Sequence, residues 1–378
     1  MTPGAVGPVH GARLRAGRMA SRIRRGLDRI GNACPMDKRV SPAKAQFNCS
    51  KLNALIVDDV PGMRSSLRDL LVQLGFVAID MAASPSEAIL RVKNRAYKLI
   101  ICDFNLEAGR DGQQLLEELR HSRLIYMDTA FIMVTAESAY EKVAATAELV
   151  PDDFLIKPFN AAMLHARVGS VLQRKAAFGA IYEHYASGRL EKAIADCNAL
   201  MESHPQYLVD ALRLKGELLN AMGRYAEAEE LYKKVIEMRV IPWARLGLAK
   251  ALAQQDRAVE AESILADVID TNPELVTAYD LMADVQIARK DLTAAQATLQ
   301  KGTAISAKTV RRQQRLGDIA FENGDLGVAQ LAYATALDKG RHSIFVTPSD
   351  YSNLCRVQVE QGDLDGALAT LRDNGMAL

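Results

Sequence analysis

The chain has 378 residues, enough for two or three domains, and is 49% hydrophobic and 25% charged. That is the composition of ordinary globular protein, and no apolar run approaches the ~18 residues a membrane-spanning helix needs. The net charge is +1, yet residues 1–51 hold eleven Lys/Arg against two Asp, which leaves the remainder mildly acidic and argues against an extended nucleic-acid surface.

Residues 1–51 lack a periodic apolar pattern and include the stretch Arg22-Ile23-Arg24-Arg25. No apolar segment of roughly 7–15 residues follows the basic start, so a signal peptide is not indicated. The expectation is a basic, disordered tail, with Met36 as an alternative start close to the first domain. A role for this tail at a membrane or nucleic acid is the competing reading. The five cysteines include no Cys-x-x-Cys pair and are odd in number, which fits reduced thiols in a cytoplasmic protein.

From residue 52 strands and helices alternate. Leu55-Ile56-Val57 runs into Asp58-Asp59, Leu99-Ile100-Ile101-Cys102 into Asp103, Phe131-Ile132-Met133-Val134 into Thr135, and Phe154-Leu155-Ile156 into Lys157-Pro158. Short apolar runs bounded by polar residues read as buried strands of a parallel sheet. Helices are predicted over 61–74, ended by Gly75, after the capping run Ser84-Pro85-Ser86-Glu87, and over 112–119, 140–149 and 161–173. Five βα units with right-handed crossovers make a doubly wound, flavodoxin-like sheet. Ligand chemistry in such sheets gathers at the carboxyl ends of the strands. Three acids, a hydroxyl and an amine therefore meet at one edge, a metal-plus-phosphate arrangement.

These motifs, in this order, resemble the receiver domain of two-component response regulators, over roughly residues 52–173. The resemblance implies that Asp103 accepts a phosphoryl group from a histidine kinase or phosphotransfer protein. It implies Mg²⁺ held by Asp58, Asp59, Asp103 and the backbone carbonyl of Asn105, with Asp58 acting partly through water. Lys157 and Thr135 would contact the phosphoryl oxygens, Phe154 would be the aromatic switch, and Lys157-Pro158 would be cis. Asn105 and Glu137 stand where the family tunes hydrolysis of the acyl phosphate. Whether the receiver dimerises through its switch face is left open.

From about residue 174 the strands stop and a period near 34 takes over. A second-helix alanine recurs as Ala193, Ala228, Ala261, Ala295, Ala329 and Ala367. A turn precedes each, as Gly188-Arg189, Gly223-Arg224, Asp256-Arg257, Lys290-Asp291, Gly324-Asp325 and Gly362-Asp363. Residues 174–378 resemble tetratricopeptide repeats, about six of them. Arg341 to Thr347 is inserted before the last, and no polar capping helix follows it, so a truncated array is one reading. Such arrays bind proteins.

The expected function is a phosphorylation-dependent signalling adaptor whose repeats take an unidentified protein partner, with no DNA-binding output domain and no catalysis beyond the receiver's own phosphoryl chemistry. The alternative is a phosphate sink, or a constitutive scaffold whose receiver does not control binding. No flexible linker separates Gln173 from the first repeat near Phe178, which points to rigid transmission.

Overall fold

The computed structural model describes residues 48–106, 111–136, 151–239, 241–306, 310–341 and 343–373. The basic tail with Met36, Glu137 and the helix predicted over 140–149 lie outside the described residues. Two compact units are present, one of residues 176–264 and one of residues 46–175 with 265–378.

The sheet contains β1 (Asn53–Val57), β2 (Ala78–Ala82), β3 (Leu99–Asp103), β4 (Ala130–Ala136) and β5 (Asp153–Lys157), in the order β2-β1-β3-β4-β5. Every pairing is parallel. The helices are α1 (Pro61–Gln73), α2 (Pro85–Asn94), α3 (Gly112–His121) and α4 (Ala161–Ala177). This is the doubly wound order expected from the apolar runs.

The sheet is buried on both faces because successive side chains point to opposite sides. Leu99 and Ile101 of β3 join Leu67, Leu71, Leu164 and Val168 on one side. Ile100 and Cys102 join Leu115, Leu116 and Leu119 on the other. Full burial of a side chain of this size contributes roughly 1.5–3 kcal/mol, so a polar substitution in β3 would break the core. Burial also pushes the Cys102 thiol well up, which makes it an inert structural cysteine.

Local signals set the helix ends. Ser84 accepts from the Glu87 N–H at 3.2 Å and caps α2. Asp111 and Gln114 form a reciprocal capping box at the start of α3.

Six helix pairs follow. They are α5 (Gly179–Ala186) with α6 (Leu190–Ser203), α7 (Leu208–Ala221) with α8 (Tyr225–Met238), and α9 (Pro242–Ala253) with α10 (Ala258–Thr271). The last three are α11 (Val276–Ala288) with α12 (Leu292–Ile305), α13 (Val310–Glu322) with α14 (Leu326–Lys339), and α15 (Pro348–Glu360) with α16 (Leu364–Asp373). The six turn positions found by register all have positive φ: Gly188, Gly223, Asp256, Lys290, Gly324 and Gly362. The turn geometry is therefore kept even where glycine is replaced, at the cost an L-residue incurs there.

The turns are tied differently along the array. Arg224 joins Glu191 at 2.8 Å and Glu227 at 2.6 Å, and Arg257 joins Glu229 at 2.9 Å and Glu260 at 2.6 Å. In the later repeats Asp291, Asp325 and Asp363 instead accept from backbone N–H groups of Ala294, Val328 and Gly366. Close packing within and between pairs depends on missing side chains. A Cβ at Gly216 or Gly247 would fall 2.6 or 2.3 Å from the buried Tyr232 ring.

Candidate functional site

The carboxyl edge of the sheet gathers the polar residues at the strand ends. Asp58 follows β1, Asp103 closes β3, Thr135 lies in β4 and Lys157 closes β5. Asp103 pairs in register with Val134, and Lys157 with Ala136. The parallel ladder thus brings residues 54 positions apart in sequence to one place.

Lys157 Nζ donates to Asp103 Oδ2 at 2.9 Å and stands 3.8 Å from Asp58 Oδ2. Asp58 and Asp103 are buried, at 1% and 6% exposure, while Asp59 is half-buried. Asp58 Oδ1 accepts the Val60 N–H at 2.8 Å, and the Asp58 carbonyl accepts from Arg64 Nη1 at 2.6 Å. Its other carboxylate oxygen, Oδ2, has no hydrogen-bond donor. Burial pushes the Asp58 carboxyl above the usual carboxylate range; the Val60 N–H pulls it down, and Asp103 pushes it further up.

Asp58, Asp59 and Asp103 each offer an oxygen within 4.8 Å of the others. A buried carboxylate oxygen without a donor, facing two more carboxylates, fits a hard divalent cation better than water alone. These residues could hold such an ion. Its charge would offset the burial, and after it the repulsion from Asp103, that raise Asp58.

The other sequence-derived residues differ in their exposure. Thr135 is fully buried, and its hydroxyl donates to the Ala136 carbonyl at 3.2 Å. Phe154 is half-buried against the α3 side of the core. Asn105 is exposed, two residues beyond Asp103. The Lys157-Pro158 peptide is cis.

Two supports of the site were not read from the sequence. Arg64 fastens the acidic loop through a backbone carbonyl, a contact with no side-chain signature. Gly112 begins α3 so close to β3 that a Cβ would fall 2.3 Å from the Asp103 carbonyl oxygen. Its N–H donates to the Phe104 carbonyl at 2.8 Å.

At the opposite edge of the sheet, Asp152 collects cations. Lys175 Nζ lies 2.8 Å from its Oδ1 and also donates to the Met127 carbonyl at 2.5 Å. Arg174 donates to the Asp152 carbonyl at 2.9 Å, and the Phe131 N–H donates to Asp152 Oδ2 at 2.9 Å. The base of β4 and the end of α4 are thereby fixed together.

Residues 54–169 match the family described as the response regulator receiver domain. Residues 241–348 match a tetratricopeptide repeat-like domain, and residues 209–239 a tetratricopeptide repeat. The chemotaxis protein CheY-3 of Vibrio cholerae serotype O1 is 28% identical over 123 residues, covering 32% of this chain and 93% of that protein. The transcriptional activator protein IrlR of Burkholderia pseudomallei is 34% identical over 123 residues, covering 32% of this chain and 51% of that protein. The solved structure of MamA from Desulfovibrio magneticus RS-1 is 18% identical, covering 44% of this chain and 92% of that chain, with a TM-score of 0.36. No helix among the described residues is long and apolar enough to cross a membrane.

Proposed function

We propose that this chain, a receiver domain followed by tetratricopeptide repeats, is a cytoplasmic two-component signalling adaptor that takes a phosphoryl group on Asp103 and thereby switches protein binding by its repeats. The observation that carries the reading is the Lys157–Asp103–Asp58 arrangement, in which one fixed cation faces a carboxylate beside two further acids.

Asp103 Oδ2 is the nucleophile. It attacks the phosphorus of a phosphohistidine on a kinase or phosphotransfer partner; the P–N bond breaks, the histidine nitrogen keeps its electron pair, and a mixed anhydride forms. Lys157 orients the carboxylate before transfer and holds a phosphoryl oxygen after it, as a point charge. Thr135 turns its hydroxyl from the Ala136 carbonyl to another phosphoryl oxygen. Asp58, Asp59, Asp103 and the Asn105 carbonyl would hold Mg²⁺, which would supply charge neutralisation at the transferring group. Phe154 follows Thr135 inward, and Asn105 and Glu137 set the lifetime of the anhydride.

The repeats form the output, since helix-pair arrays present extended surfaces for protein partners. No catalytic or DNA-binding output domain is part of this proposal. The test is a small-molecule phosphodonor with Mg²⁺, read by intact mass. One phosphoryl group on the wild type and none on Asp103→Asn is expected. Equal labelling of both would overturn Asp103 as the acceptor.

A further inference from the structure

We propose that Phe345, in the insertion before the last repeat, docks the repeat array onto receiver helix α3, and that this contact responds to the state of Asp103. The inference rests on the receiver reading above and names a regulatory contact within it.

The stretch carrying Phe345 is built rather than loose. The Ser343 N–H donates to the Gly340 carbonyl at 2.8 Å, and the Phe345 N–H to Ser343 Oγ at 3.2 Å. Gln314 on α13 donates to the Phe345 carbonyl at 2.8 Å, and also to Asp350 Oδ1 at 2.8 Å. These bonds aim the ring. On one side the Arg311 guanidinium lies 5.8 Å from its centroid. The imidazole of His121 lies 4.8 Å from it, inclined at 68°. Edge-on pairing at this separation is the preferred geometry for aromatic rings. His121 is the last residue of α3. Both rings belong to the compact unit that contains the receiver and residues 265–378.

The other end of α3 is where the chemistry is. Gly112, its first residue, is bonded to the Phe104 carbonyl and leaves no room for a side chain against the Asp103 carbonyl. Between the two ends, Leu115, Leu116 and Leu119 are fully buried in the receiver core. A helix of ten residues, about 15 Å long, therefore abuts the acceptor strand at one end and the repeat array at the other. A shift of the Asp103 backbone on phosphorylation has no slack to absorb it at Gly112, and is carried to His121. Coupling of this kind is reciprocal. Removing the docked ring must then change the affinity of the acid cluster for a phosphoryl mimic.

The test uses the full chain as wild type, Phe345→Ala, Phe345→Tyr and His121→Ala. Amide hydrogen exchange is followed over 113–121 and 343–347, with Mg²⁺ and a titration of beryllofluoride. Phe345→Ala is expected to speed exchange in the last turn of α3 at least threefold. His121→Ala is expected to do the same over 343–347, and Phe345→Tyr to stay near wild type. Phe345→Ala is also expected to move the beryllofluoride midpoint at least threefold. If neither variant affects the other's segment, the docking contact is overturned. If the segments respond but the midpoint is unchanged, the contact is structural and the coupling is overturned. A wild type that takes no beryllofluoride removes the phosphoacceptor reading and the coupling together, while the exchange data still decide the contact.

Discussion

Lys157 holds its ammonium 2.9 Å from the Asp103 carboxylate, across 54 residues of sequence. The contact joins the ends of β3 and β5, which are not neighbours in the sheet, since β4 lies between them. The long lysine stem spans that strand and brings a cation to the acids. A hydrogen bond to a charged group contributes about 1.5–3 kcal/mol. Lys157→Met is therefore expected to weaken beryllofluoride capture at least tenfold. Titration in Mg²⁺, read by amide protection at the strand ends, checks this.

Asp58 should show the opposite face of the same electrostatics. Its folded pKa is raised above 3.8, so its ionised form is disfavoured in the native state. The sign follows: stability is present at low pH and is lost as pH rises through the folded pKa. At pH 7 without Mg²⁺, Asp58→Asn should raise Tm by a few degrees, consistent with about 1 kcal/mol. Below pH 3.8 the difference should vanish. With Mg²⁺ in excess the order should invert, because the wild type gains binding energy the variant lacks. Thermal melts across pH, with and without Mg²⁺, decide it.

Asp152 stabilises the far edge of the receiver. Lys175 is only 8% exposed and forms an ion pair with the Asp152 carboxylate at 2.8 Å. Removing one partner of a buried ion pair costs roughly 3–5 kcal/mol. Asp152→Ala should lower the Tm of the receiver by roughly 10 °C. Lys175→Met, which removes the buried charge itself, should cost far less. Similar losses in both variants would refute the clamp.

Glu229 reports on the arginine ties of the early repeats. Hydrogen bonds from Lys233, and after it from Arg257 and Gln255, hold its carboxyl down to about 2, from 4.5. A depressed carboxylate contributes stability above its unfolded pKa and loses it as pH falls through the folded value. Glu229→Gln should thus lower the Tm of the early repeats at pH 7. The gap should narrow below pH 4.5 and close near pH 2. A gap independent of pH would mean that packing, not charge, is what Glu229 supplies.

Four of the five strands and the grouping of the three acids were legible in the sequence because each depends on a local pattern. An apolar run followed by an acid marks a strand end wherever it occurs. Repeat register was legible for the same reason, and it placed Asp256 and Lys290 at turn positions where glycine is usual; both have positive φ. The contacts that tie elements together were not legible. The bidentate pair of Arg312 with Asp280, at 2.8 and 2.7 Å, joins first helices of adjacent repeats and leaves no periodic trace. Asp152 with Lys175, and Phe345 with His121, are likewise pairings of ordinary residues at arbitrary separations. Gly112 could have been flagged, since a glycine at the first position of a helix beside the acceptor strand suggests close backbone approach.

The central claim is that phosphorylation of Asp103 changes what the repeats bind. The most direct test is affinity capture from lysate on the immobilised full chain, with Mg²⁺, with and without beryllofluoride, beside Asp103→Asn treated identically. The account predicts a protein whose retention differs between the two states of the wild type and not on Asp103→Asn. The same proteins retained in every lane would contradict it, and would leave the repeats as a constitutive scaffold beside a receiver that acts as a phosphate sink.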